Sequence, residues 1–202
     1  MGENQGRLAA VVLAAGESRR MGQNKMLLPL GQESVVRRAV RQVLEADFDA
    51  VWVVVGRDAE RVKAELEGLP VFIVENPRYP EGLGTSFRAA VEALPANVEA
   101  AMFTLADQVF LTPELYRSIL EAYRASRPTL VVSRFGEVQA PPHLFHRALF
   151  PALGQNPSQG SKGVLQQYAA ERVEVPMPES ALFDLDTPED YREALERLAA
   201  LP

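Results

Sequence analysis

Short, nearly continuous apolar runs alternate along this chain with stretches of helical period, and that alternation limits the architectures open to it. Ala9–Leu13, Ala50–Val55, Val71–Val74, Ala100–Leu105 and Leu130–Ser133 show no apolar–polar alternation. Both faces of each strand must therefore be covered. Between them, Val35, Val36, Ala39, Val40, Val43 and Leu44 line one stripe of a helix beginning at Ser34. Asp58–Glu67, ended by Gly68, and Thr85–Leu94, closed by Pro95, form two more helical patterns. Thr112-Pro113-Glu114 and Thr187-Pro188-Glu189-Asp190 each combine a capping Thr, a Pro at the first helical position and an early acid. Asp190 is placed to complete a capping box. This order predicts an α/β fold, a mostly parallel sheet between layers of helices. The 202 residues contain no internal repeat or low-complexity segment, so a single domain over 1–202 is expected.

The composition removes several classes of chemistry. No cysteine is present, which excludes disulfides, cysteine-bound zinc, iron–sulfur clusters and a thiol nucleophile. Two histidines, His143 and His146, cannot build a three-histidine metal site; three residues apart, they could share a helix face, but no acidic partner motif accompanies them. There is no G-x-S-x-G elbow for a serine hydrolase. The formal net charge of −6 argues against a general nucleic-acid partner. No apolar run reaches the length of a membrane span. The polar Met1–Arg7 segment lacks the pattern of a signal peptide, so a cytoplasmic protein is expected. Trp52, inside an apolar run, reads as core.

Open α/β sheets bind ligands at the carboxyl ends of their strands. The first strand is followed there by Ala14-Ala15-Gly16-Glu17-Ser18-Arg19-Arg20-Met21-Gly22-Gln23-Asn24-Lys25. Small residues allow backbone N–H groups to approach an anion, and Gly16 and Gly22 accept turns that other residues resist. Arg19, Arg20 and Lys25 would make this a polyphosphate cradle, or else a solvated basic loop. Neither G-x-x-x-x-G-K-[ST] nor G-x-G-x-x-G is present after this strand. The fourth apolar run leads into Asp107, and Asp184 and Asp186 precede the last helix. Each could serve only its local turn. Together with a basic turn, they suffice for a Mg²⁺ held by one or two carboxylates plus substrate phosphates. Gly154–Gly163 reads as a surface loop, either a mobile flap over a site or a plain solvated connection.

Leu13–Lys25, LAAGESRRMGQNK, resembles the LAAGxSxRMGxxK signature of the MobA-like nucleoside-triphosphate transferases, and within them the molybdenum-cofactor cytidylyltransferase branch. Asn76-Pro77 with Glu81–Ser86 is similar to the family's base-and-ribose segment. Leu105–Gln108 is similar to its metal-binding strand end, and Asp184–Asp190 to its C-terminal DxDTPxD. The resemblance implies a three-layer α/β/α, Rossmann-like nucleotidyltransferase fold. It also implies transfer of a nucleotidyl group to a phosphorylated acceptor, either molybdopterin or a sugar or polyol phosphate, with a molybdoenzyme as partner for a molybdenum-cofactor product. By position, Leu13, Ala14, Ala15, Gly16, Ser18, Gly82 and Ser86 would surround the nucleotide. Arg19 and Lys25 would neutralise the leaving pyrophosphate, and Asp107 with Asp186 would hold Mg²⁺, Asp184 being the reserve ligand. Guanylyl-transferring relatives tend to carry LAGG, so the Ala15 methyl favours CTP, with GTP open. Two departures stand out: Val109 replaces a frequent Pro, and the late GDxGA[RK] motif is reduced to Pro157–Lys162 without its acid. A non-catalytic nucleotide- or cofactor-binding module on the same fold is the alternative of a different class.

Overall fold

In the computed structural model, which describes residues 6–200, the elements follow the expected alternation. They are β1 (Arg7–Ala14), a small hairpin of β2 (Pro29–Leu30) and β3 (Glu33–Ser34), α1 (Val35–Leu44), β4 (Ala50–Val55), α2 (Ala59–Glu65) and β5 (Phe72–Glu75). Then come α3 (Leu83–Ala93), β6 (Val98–Leu105), α4 (Pro113–Ser126), β7 (Leu130–Phe135), β8 (Val138–His146), α5 (Lys162–Gln167), β9 (Arg172–Met177) and α6 (Pro188–Ala199). The segment Met1–Gln5, part of the stretch read as lacking a signal peptide, lies outside the described residues. Among the described residues no helix is long and apolar enough to cross a membrane.

The main sheet has the order β5-β4-β1-β6-β8-β7-β9. β8 is antiparallel to both of its neighbours, and the other strands share one direction. From β1 the chain moves outward to β4 and β5, then returns to place β6 on the other side of β1. The crossover directions diverge there, and a crevice opens between the carboxyl ends of β1 and β6, where Leu13 pairs in register with Leu105.

Alternating residues of β1 face two separate cores. Ala10, Val12 and Ala14 pack with Val36 and Val40 of α1, Val62 of α2, Leu120 of α4 and Ala194 of α6. Ala9, Val11 and Leu13 pack with Phe87 and Ala90 of α3, Phe150 of the helical turn Arg147–Ala152 and Val164 of α5. The fold is thus the expected three-layer α/β/α arrangement. Trp52 is in the second core, stacked on Phe72 with ring centroids 4.9 Å apart. At α6, Thr187 Oγ1 accepts from Asp190 N at 3.2 Å and Asp190 Oδ2 accepts from Thr187 N at 2.7 Å, completing the capping box. Thr112 occupies the corresponding place before α4 but its side chain makes no capping bond to the backbone.

Four readings are corrected. β8 and β9 were not expected as strands; β8 carries two prolines and several polar groups, while β9 lies at the sheet edge with only alternate burial. His143 and His146 consequently lie on a strand, where a spacing of three puts them on opposite faces. His143 is buried, and His146 Nδ1 accepts from Ala148 N at 3.1 Å. In the turn after β1, the left-handed residues are Ser18 (φ 52°) and Gly22 (φ 75°), not Gly16. Finally, Gly154–Gly163 lies at the surface as expected but is not a plain solvated connection, since it is anchored to the entry of α3. Gly84 N donates to Pro157 O at 2.8 Å, and a Cβ on Gly82 or Gly84 would stand 2.5 or 2.2 Å from the carbonyl oxygens of Pro157 and Asn156.

Candidate active site

The crevice between β1 and β6 opens into a cleft of about 530 Å³. Leu13, Ala15, Gly16, Ser18, Arg19, Arg20 and Lys25 line one side, Tyr79, Pro80, Gly82, Leu83 and Ser86 another, and Leu105, Asp107 and Asp186 the floor. Local structure explains each wall. Asn24 Oδ1 accepts from Met26 N at 3.1 Å, which starts the single helical turn Lys25–Leu27 and turns Lys25 inward. Ser18 Oγ accepts from Lys25 N at 3.2 Å, closing the loop on itself. The buried Asn76 amide donates to Thr85 Oγ1 at 2.9 Å and Ser86 Oγ at 3.0 Å, fixing the entry to α3. Gly16 has open space where a Cβ would project, which leaves its backbone accessible from the cleft.

An ion cluster occupies the floor. Lys25 Nζ donates to Asp107 Oδ2 at 2.5 Å and to Asp186 Oδ1 at 2.8 Å. Arg20 Nη2 donates to Asp186 Oδ2 at 2.5 Å. The Lys25 side chain is only 8% exposed. Burial opposes its charge, but Asp107 and then Asp186 outweigh that penalty, and its pKa lies above the ordinary lysine value. Leu185 N donates to Asp107 O at 3.1 Å, tying the two acid-bearing segments together. Asp107 Oδ1 is buried without a hydrogen-bond partner. The Asp184 carboxyl is raised above its usual range, by desolvation first and then by the like charge on Asp107, although much of its surface is open to solvent.

Nearly all the residues expected at a site meet here: Leu13, Ala15, Gly16, Ser18, Arg19, Lys25, Gly82, Ser86, Asp107 and Asp186. Ala14 does not; strand alternation turns its methyl into the opposite core, so only its backbone is near. Arg19 reaches the rim but pairs with Glu17 at 2.6 Å, its side chain 76% exposed. Its neighbour Arg20 is the arginine that touches the acid cluster. Tyr79, Pro80 and Leu83 were missed, since nothing in their spacing marks them; they arrive because the short turn Tyr79–Glu81 faces the end of β1.

Chemically, the cleft joins cationic side chains and accessible backbone to convergent carboxylates, a combination suited to an anionic ligand carried with a cation. Comparison with known proteins agrees. The profile of the MobA-like NTP transferase domain family matches residues 10–173, and Asp184 and Asp186 lie beyond the match. The chain is 32% identical to the purine catabolism protein PucB of Bacillus subtilis (strain 168), covering 91% of this chain and 94% of that protein. It is 28% identical to the molybdenum cofactor cytidylyltransferase of Escherichia coli (strain K12), covering 93% and 95%. The crystal structure of Rv0371c from Mycobacterium tuberculosis H37Rv in complex with manganese superposes with a TM-score of 0.76 at 26% identity, covering 94% of this chain and 98% of that one.

Proposed function

The chain belongs to the family of MobA-like NTP transferase domains, and on that premise we propose that it transfers a cytidylyl group from CTP to a phosphorylated small molecule, releasing pyrophosphate. The acceptor we propose is the pterin phosphate of the molybdenum cofactor, the cation Mg²⁺, and the working unit a single cytoplasmic domain of residues 1–202 that supplies a molybdoenzyme. The observation that carries the reading is the meeting of Lys25, Asp107 and Asp186 in one cleft beneath the Leu13–Ser18 turn. The choice of base and acceptor is supported by the cytidylyltransferase relative.

The residues fit a divalent cation. Two carboxylates converge within reach of one nitrogen, and Asp107 Oδ1 is buried and unpartnered. No group of three or more His, Cys, Asp or Glu is placed to hold a metal among the described residues. That is expected where substrate phosphates supply the remaining ligands. Asp107 and Asp186 would hold Mg²⁺, which when bound supplies positive charge to the phosphate oxygens and the α-phosphorus.

The protein's own part is alignment and charge. The backbone of Ala14, Ala15 and Gly16, with Ser18, cradles the triphosphate; Gly82 and Ser86 face the nucleoside. Lys25 and Arg19 neutralise the charge that grows on the leaving pyrophosphate. An acceptor phosphate oxygen attacks the α-phosphorus, and the bond to the β-phosphate bridging oxygen breaks with its electron pair leaving on pyrophosphate. The acceptor is already ionised near neutrality, so no general base is needed.

Thermal stability measured with CTP, GTP, ATP and UTP, each with and without Mg²⁺, tests this. Ligand at about 100 times its Kd adds about 2.7 kcal/mol, a rise of roughly 5–11 °C for a chain of this size. A Mg²⁺-dependent rise with CTP, followed by pyrophosphate release in the presence of molybdopterin, is the expected result. A larger rise with GTP overturns the base assignment, and no rise with any nucleotide overturns the reading.

A further inference from the structure

We propose that Lys25 and Arg20 act as a two-cation placeholder, keeping the Asp107–Asp186 pair closed to free divalent cations until a triphosphate draws both side chains away. The proposal rests on the nucleotidyl-transfer reading and concerns the order in which that site fills.

Asp186 has both carboxylate oxygens engaged, Oδ1 by Lys25 at 2.8 Å and Oδ2 by Arg20 at 2.5 Å. Asp107 has Oδ2 engaged by Lys25 at 2.5 Å, which leaves Oδ1, buried. A cation arriving alone must displace a buried ammonium from two charge-assisted hydrogen bonds. It must also shed part of its own hydration, which Mg²⁺ does reluctantly. Paired this way, the carboxylates offer little net field to attract it.

A triphosphate changes the balance because it competes for the same donors. Lys25 and Arg20 lie on the Gly16–Lys25 segment that also lines the cleft for the anion. Lys25 ends a flexible four-carbon stem with three donors, and the Arg20 side chain is 69% exposed and free to swing. Once both turn to phosphate oxygens, Asp107 and Asp186 face each other without a counter-cation, and Asp184 adds a third carboxylate nearby. The pair then requires positive charge, and the cation bound to the triphosphate arrives at that moment. Arg20 thereby gains a role that its exposed neighbour Arg19, paired with Glu17, does not share.

A purely architectural lysine makes the opposite prediction, since its loss would loosen the acid pair and weaken cation binding. Mn²⁺ titration followed by electron paramagnetic resonance separates the two, using wild type, Lys25→Gln and Arg20→Gln without nucleotide, then with α,β-methylene-CTP. Without nucleotide, Lys25→Gln should bind Mn²⁺ about tenfold tighter than wild type, and Arg20→Gln about threefold, because Lys25 is buried and holds both acids whereas Arg20 is exposed and holds one. With the analogue, wild type should tighten by about tenfold and Lys25→Gln by less. Wild type binding Mn²⁺ alone as tightly as the variants, or variants binding more weakly, overturns the proposal. Arg20→Gln is a surface change, so it keeps the test decisive if Lys25→Gln does not fold. Pyrophosphate release by wild type is measured alongside. Turnover with no gain in Mn²⁺ affinity in either variant overturns the placeholder alone; no turnover with any nucleotide and acceptor overturns the nucleotidyl-transfer reading with it.

Discussion

Mild acid should reveal what it costs to keep His143 neutral. The ring lies on β8, 2% exposed, edge-on to Phe145 with centroids 6.4 Å apart. Its Nδ1 faces Ser133 N–H at 3.4 Å, so that nitrogen is an acceptor. Burial lowers the pKa to about 4 from the ordinary 6.5, the Pro142 carbonyl offsetting a little and Arg172 adding to the fall. An unfolded chain takes up this proton near the ordinary value, whereas the folded chain resists it down to about 4. Between those limits the unfolded state binds more protons, so stability is present above the window and is lost as pH falls through it. The slope approaches about 1.4 kcal/mol per pH unit. The loss is therefore about 2 kcal/mol between about pH 7.5 and about pH 5, and about 3 kcal/mol at the acid end. Urea unfolding of wild type and His143→Gln at several pH values isolates the effect, because both proteins share every carboxylate titration. The wild type should lose about 2 kcal/mol more than the variant by about pH 5. Parallel stability profiles would refute the argument that a buried neutral imidazole sets this dependence.

Two further outcomes follow from the site and the docked segment. Asp107→Asn should lower pyrophosphate release by about a hundredfold or more, since it removes a charged cation ligand, and should reduce the Mg²⁺-dependent rise in thermal stability with CTP. Gly84→Ala would place a Cβ 2.2 Å from Asn156 O. Such overpacking costs about 1–3 kcal/mol and should make the Gly154–Gly163 segment accessible to limited proteolysis. Gly163→Ala, with nothing near its Cβ position, is the control: it should leave the proteolysis pattern unchanged and, lying in α5, raise stability by up to about 1 kcal/mol.

Most of the strands that could be read in advance are buried on both faces; β5 is the exception, an apolar run at the sheet edge whose Phe72 and Ile73 are exposed rather than covered. β1, β4 and β6 are central strands covered on both faces, so their sequences are continuous in Val, Ala and Leu, and their limits fall within two residues of expectation. α1 was legible from its single apolar stripe, and α4 and α6 from their Thr-Pro-acid starts, whereas α5 begins inside the segment read as a loop. β8 and β9 were missed for different reasons. β8 tolerates Pro141 and Pro142 where its register with β7 is interrupted by a bulge, and β9 needs only alternate buried residues at the sheet edge. Gly154–Gly163 has a loop's composition, and composition says nothing about docking. The signal was in its partners, because Gly82 and Gly84 are required where two backbones approach closely.

For the site, the legible part was which residue types stand just past a strand's carboxyl end, and the hidden part was how their charges would be matched. Lys25 and Asp186 are 161 positions apart, and no spacing rule joins them; the sheet brings the ends of β1 and β6 together, and the Leu185 N–Asp107 O bond holds the Asp186 segment against them. Choosing between Arg19 and Arg20 depended on backbone rotation, which the left-handed Ser18 alters. Lys25 is of a residue type that suits a phosphate, while its observed partners are carboxylates. Both assignments hold if they belong to successive states. A buried cluster whose charges cancel keeps a small fold stable without its ligand, where an uncompensated acid pair would cost several kcal/mol. On the proposed order of filling, the same pairing makes the site answer to an anion, since an anion that competes for the lysine leaves the carboxylates in need of a cation.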